Sequence, residues 1–185
     1  MLRFAPLVAA VTLAACSSIL PPAEPEPEAI GDFRLGFNLV VADGAQQAAG
    51  SGEVEEDRLA SAVRAALEQR LGGYDGDGLY HLGVRIEGYT LGEDGTSDAL
   101  LLLAVNVWED ATQEKLNETP LRVSALNPGN SNLEAVAAVA AGEVDALLRT
   151  NAGTWFAPKE GRERVPFTRD PLTGQVLEPP AADQS

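Results

Sequence analysis

Apolar and polar positions alternate in Phe33, Leu35, Phe37, Leu39 and Val41 against Arg34, Gly36 and Asn38. A period of two puts one face in a core and the other in water, which predicts a half-buried strand ended by Asp43 and Gly44. The period then lengthens. From about Val54, Leu59, Val63, Ala66, Leu67 and Leu71 fall on one side of a helix. Glu55, Glu56 and Asp57 sit where the helix dipole favours acids, Arg64 and Glu68 are spaced to pair on the outer face, and Gly72-Gly73 is a natural stop. A second strand puts Tyr80, Leu82, Val84 and Ile86 on one face and His81, Gly83, Arg85 and Glu87 on the other. Leu100 to Trp108 is apolar on both faces except at Asn106, the pattern of a central or doubly covered strand. Leu121, Val123 and Ala125 alternate with Arg122 and Ser124 in a fourth strand, and Pro120 confines its start to an edge or a bulge. After the break at Asn127-Pro128-Gly129-Asn130, Ser131 to Glu134 has the form of a capping box, with Ser131 as the cap. The helix behind it carries the stripe Leu133, Val136, Ala137, Ala140, Val144, Leu147 and Leu148, while Glu134, Glu143 and Asp145 exclude a membrane span.

The order strand, helix, strand, strand, strand, helix predicts an α+β fold, a two-layer α/β sandwich. Strands one and two lie parallel if the first crossover is right-handed. The later strands form an antiparallel meander, giving one four-stranded mixed sheet with two helices on one face. The domain spans 31–156. Beyond Trp155 and Phe156, residues 157–185 hold five prolines and dispersed charges, which predicts an irregular tail.

The first 15 residues read differently. Arg3 supplies a basic start, Phe4 to Leu13 an apolar run too short to span a bilayer, and Ala14-Ala15 the small residues before a cleavage site. With Cys16 they complete Leu13-Ala14-Ala15-Cys16, which resembles the bacterial lipoprotein signal. That resemblance implies removal of residues 1–15 and acylation of Cys16 with palmitate-type chains. It also implies sorting to the outer membrane on its periplasmic side, because Ser17 is not the Asp that retains such proteins in the inner membrane. Residues 16–30, with Pro21, Pro22, Pro25 and Pro27 among Glu24, Glu26 and Glu28, are too polar and too rich in proline to fold. They read as a tether that extends by about 3.1 Å per residue.

Cys16 is the one cysteine of the chain, so no disulfide is expected in spite of an oxidising compartment. Without Arg3, 12 of the 13 basic residues face 28 acidic ones. That balance argues against nucleic acid as a partner and against docking on anionic headgroups, and its plain reading is solubility.

Candidate chemistry is sparse. A Ser-His-Asp apparatus would need His81, the one histidine, yet the alternation puts it on the less buried side of a strand, and Gly50-Ser51-Gly52 lacks the nucleophile elbow. Asp75-Gly76-Asp77-Gly78 has the start of a calcium loop, but Ile86 stands where the closing Glu belongs, so it reads as a turn. No phosphate loop or His/Cys metal cluster occurs, and the reading assigns no catalytic residue, no metal and no cofactor.

The leader box, the spacer and the element order resemble small α/β envelope lipoproteins. These include the lipopolysaccharide-assembly lipoprotein and the auxiliary lipoproteins of ABC-type lipid transporters. By analogy the resemblance implies a non-catalytic adaptor or assembly factor that binds an envelope protein, and it carries over no functional residue. Trp108, Trp155 and Phe156 are the candidate partner-binding residues, against the alternative that they pack in the core. The other function class is binding of a lipid or small amphiphile in a cavity between sheet and helices.

Overall fold

The computed structural model describes residues 28–161, so the leader, Cys16 and most of the tether and tail lie outside the described residues. Phe33–Val41 forms β1, Gln46–Gln47 β2, Glu56–Leu71 α1, Gly78–Thr90 β3, Ala99–Glu109 β4, Leu121–Asn127 β5 and Leu133–Trp155 α2. The sheet order is β1-β3-β4-β5, with β1 parallel to β3 and the rest antiparallel. This is the two-layer α+β sandwich that the element order predicts. The two-residue β2, which no periodicity could reveal, pairs parallel with Gly88 and Tyr89 beyond the stretch of β3 that β1 covers.

Both helices pack on one face. Leu59, Val63, Leu67 and Leu71 of α1 and Val136, Ala140, Val144 and Leu148 of α2 meet Tyr80, Leu82, Val84, Ile86, Leu101, Leu103, Val105 and Val107, all essentially inaccessible to solvent. Each fully buried Leu or Val contributes about 1.5–3 kcal/mol, so this layer carries the fold without a disulfide. The many alanines of α2 let it approach the sheet closely. Ile30 is also buried in this core.

A bulge at Glu87 reverses the facing of β3. Ile86 pairs with Leu103 but Gly88 with Leu102, so even-numbered residues point inward before the bulge and Tyr89 does so after it. The β3–β4 connection is closed by Asp94, whose carboxylate accepts from the Thr96 and Ser97 N–H groups and the Ser97 hydroxyl. Those bonds hold its pKa down at about 2.

Two local expectations are corrected. The cap of α2 is Asn132, whose side chain accepts from Ala135 N–H at 2.9 Å; Ser131 is buried one residue upstream, and Glu134 is one residue too early to close a box. Arg64 does not pair with Glu68: it donates to the Val40 carbonyl, while its own carbonyl accepts from Asn38. It serves to join α1 to β1.

Asp145 is the buried charge of the helical layer, 1% exposed on the inner face of α2. Arg70 Nε and Nη2 approach its Oδ2 at 2.8 and 2.6 Å, while Tyr74 donates to Oδ1 at 2.6 Å and Arg149 Nε lies 3.3 Å from the same oxygen. Arg149 also donates to the Tyr74 oxygen and to the Glu28 carbonyl, so the cluster ties α1, α2 and the entering chain together. Burial, then the hydrogen bond to Asp145 and its negative charge, push Tyr74 up to about 12 against the opposing pull of Arg149. A tyrosine that keeps its proton in the folded state stabilises fully below pH 10, and the contribution is lost as the pH rises to about 12. Unfolding midpoints should therefore fall over that interval more steeply than in Tyr74→Phe. An ultraviolet titration difference between the two proteins that places the lost phenol near pH 10 would refute the assignment.

Candidate functional site: the open face of the sheet

The helices leave the other side of the sheet bare. Successive side chains of a strand point to opposite faces, so the residues between the core positions form one continuous surface. The registers place them in rows. His81, Trp108 and Lys115 lie side by side, then Leu39, Gly83 and Asn106, then Val41, Arg85, Ala104 and Arg122; Leu102 and Ser124 follow, and Leu100 and Leu126 end the set. Among the described residues the exposed large hydrophobics are Leu39 at 62%, Leu126 at 53%, Phe37 at 39% and Leu102 at 38%, and all four stand on this side. Apolar groups clustered on one face, with the rest of the surface polar, mark an interaction surface more often than scattered ones do.

Local contacts hold the surface in shape. His81 Nδ1 accepts from the Phe37 N–H at 2.8 Å, inside a register shift of β1 between Leu35 and Asn38, and Nε2 lies 2.8 Å from Asp110 Oδ1. The first bond requires an unprotonated Nδ1, so the ring is the neutral Nε2–H tautomer donating to Asp110. Gly36 makes room for this, since a Cβ there would lie 2.5 Å from Nδ1. The Phe37 ring rests 5.1 Å from the imidazole. Trp108 lies over Gly83, where a Cβ would come within 2.7 Å of the indole. Two glycines in β-strands thus seat two rings flat on the sheet.

Chemistry at this surface is limited by the same contacts. A general base needs a ring nitrogen facing its substrate, and both nitrogens of His81 are occupied within the fold. A hollow of about 520 Å³ opens beside β2 and is lined by Gln46, Gln47, Glu87, Gly88, Leu100, Leu102 and Arg122. Arg122 Nη2 reaches Glu87 Oε1 at 3.5 Å. The region between sheet and helices, where a ligand cavity was the alternative expectation, is filled by the core side chains named above.

The three aromatic candidates are not brought together. Trp108 lies half-buried on the open face, whereas Phe156 is fully enclosed on the helix side against Phe33 and Tyr80 at 4.9 and 4.7 Å. Trp155 packs half-buried against the same core, edge-on to Phe156. Phe156 therefore has no surface to offer a partner. Its carbonyl instead receives Asp32 N–H at 2.7 Å and fixes the end of the domain. Cys16, Leu13, Ala14 and Ala15 lie outside the described residues. In the Asp75–Gly78 turn, Asp32 Oδ1 accepts from Asp77 N–H at 2.8 Å, and Gly76 lies so close to the Asp32 backbone that a Cβ would clash. Among the described residues no three His, Cys, Asp or Glu side chains group as metal ligands. None of the described helices is long and apolar enough to cross a membrane.

The alternation of β1 places Phe37 and Leu39 with Phe33 in the core, but the structure exposes both, because the register shift between Leu35 and Asn38 reverses the facing of the strand and turns Val40 inward instead. Leu126, on the other side of β5 from Val123 and Ala125, carries no alternation of its own. The signal that could have found the face is the doubly apolar strand Leu100 to Trp108 beside strands that alternate.

No protein-family model and no curated protein matches the chain. Solved structures similar in chain path include a Xanthomonas campestris protein of the family DUF330, with 16% identity, TM-score 0.38 and coverage of 74% of this chain and 88% of that one. PelC of Paraburkholderia phytofirmans, solved as a dodecamer, is 13% identical with TM-score 0.37, covering 65% and 88%. A minor lipoprotein of Acinetobacter baumannii is 19% identical with TM-score 0.29, covering 62% and 93%. At these identities and scores none of the three assigns a family or a role to this chain.

Proposed function

We propose that the chain is a lipid-anchored bacterial envelope lipoprotein, held on the periplasmic side of the outer membrane through Cys16. In this reading it acts as a non-catalytic adaptor or assembly factor for an envelope protein. The observation that carries the adaptor reading is the open sheet face, which presents its exposed apolar side chains away from the helices. The anchor rests on Leu13-Ala14-Ala15-Cys16 and the Pro/Glu tether behind it. The mechanism is confinement: acyl chains restrict the domain to one leaflet, the tether sets its reach, and the effective concentration of the domain rises for whatever it binds.

The test is crosslinking of the lipidated protein in cells, followed by membrane fractionation and mass spectrometry. One dominant envelope protein should be recovered in near-stoichiometric amount. Leu39→Ser with Leu102→Ser, which removes two of the exposed apolar groups, should reduce that recovery at least tenfold, because burying each Leu side chain contributes about 1.5–3 kcal/mol. Recovery of the chain with no protein, together with a bound amphiphile in native mass spectrometry, would replace the adaptor reading with ligand binding.

A further inference from the structure

The charges on the open face differ from those of the chain that carries it. Acids outnumber bases 28 to 13 in the sequence, yet the rows of the open face bring Arg85, Arg122 and Lys115 to one side of the sheet. The acids beside them are engaged: Glu87 faces Arg122 at 3.5 Å, and Asp110 holds His81. Arg85 and Arg122 stand in one row on either side of Ala104, both exposed. Two intervening strand spacings put their backbones about 10 Å apart. Side chains of that length can both reach one carboxylate placed over a gap of that width, and the Ala104 methyl between them, 5% exposed, adds little bulk. Leu102 lies along the strand on one side of the row and Leu39 near it on the other.

We infer that this row is the anchor for a carboxylate of the bound protein, so that the partner presents an acidic residue within an apolar segment. The inference rests on the adaptor reading and adds the partner's chemistry. Arginine forks match carboxylates in two parallel bonds, and a contact surrounded by Leu39, Leu102 and Leu126 excludes water, which strengthens the pairing. The same geometry gives specificity. A basic partner segment would meet like charge and be rejected.

The full-length lipidated chain carrying a photoreactive phenylalanine analogue at Leu102 tests this in cells. Irradiation should give one protein adduct whose crosslinked peptide contains Asp or Glu next to apolar residues. Arg85→Glu with Arg122→Glu should reduce the adduct about tenfold or more, and Arg85→Lys with Arg122→Lys should leave an intermediate yield. The neutral pair Arg85→Ala with Arg122→Ala provides the same comparison should charge reversal beside Glu87 disturb the fold, which circular dichroism reads. A protein adduct unchanged by every one of these substitutions would overturn the carboxylate anchor while leaving the adaptor standing. An adduct only with phospholipid, or only with a second copy of the chain, would overturn both.

Discussion

Arg70→Met together with Arg149→Met is expected to destabilise the domain by about 3–5 kcal/mol, a large share of the roughly 5–15 kcal/mol that keeps a domain folded. The size follows from which partner is buried. Asp145 is 1% exposed, whereas the side chains of Arg70 and Arg149 keep 55% and 35% of their surface. Removing the arginines strands a carboxylate inside the protein with only the Tyr74 hydroxyl as donor, while removing the carboxylate lets both cations turn to water. Adding Asp145→Leu to the double variant should therefore restore most of the lost stability, since an apolar side chain with the same branching suits the stripe of Val144 and Leu148. Urea unfolding at pH 7 of the chain beginning after Cys16 measures both steps. A loss below 1 kcal/mol for the double variant would mean that Asp145 is solvated and that the cluster is a surface ion pair.

The same residue shows where the sequence is legible and where it is not. Tyr80, Leu82, Val84 and Ile86 are readable because alternation in a half-buried strand reports burial directly, and all four lie in the core. Asp145 follows Ala141 by four and precedes Leu148 by three, which puts it on the buried stripe; its charge leads a hydrophobicity reading to place it outside. Geometry supplies what hydrophobicity misses, because Arg70 and Tyr74 come from another helix end, 75 and 71 residues away in sequence. The reversal at Glu87 is invisible for another reason: a bulge changes facing without changing residue type. The doubly apolar β4 was readable as central but not as half bare, because what covers a strand is a property of the helices and not of the strand. The sequence-selected aromatics divide accordingly between an open face at Trp108 and a core at Phe156. The Arg85–Arg122 row needed the register of three strands before it existed as a pair.

Cys16→Ala is expected to move the protein from the membrane to the soluble periplasmic fraction almost completely, with the fold unchanged. The magnitude comes from the acyl chains. Each buried methylene is worth about 0.8 kcal/mol; one chain gives only reversible binding, and two or three give an anchor that is nearly permanent. Nothing else on the described domain replaces it: none of its helices is long and apolar enough to cross a bilayer, and an acidic chain is repelled by anionic headgroups. The arginine row is too small to hold the domain on lipid by itself, at about 1 kcal/mol per basic side chain near an anionic surface. Fractionation with and without high salt, read alongside circular dichroism of the released protein, separates the contributions. Release in low salt would confirm the lipid as the anchor. A Cys16→Ala protein that has lost residues 1–15 and still sediments with membranes in high salt would refute the lipoprotein reading. Sedimentation lost only in high salt would show that an ionic contact retains the domain without its lipid.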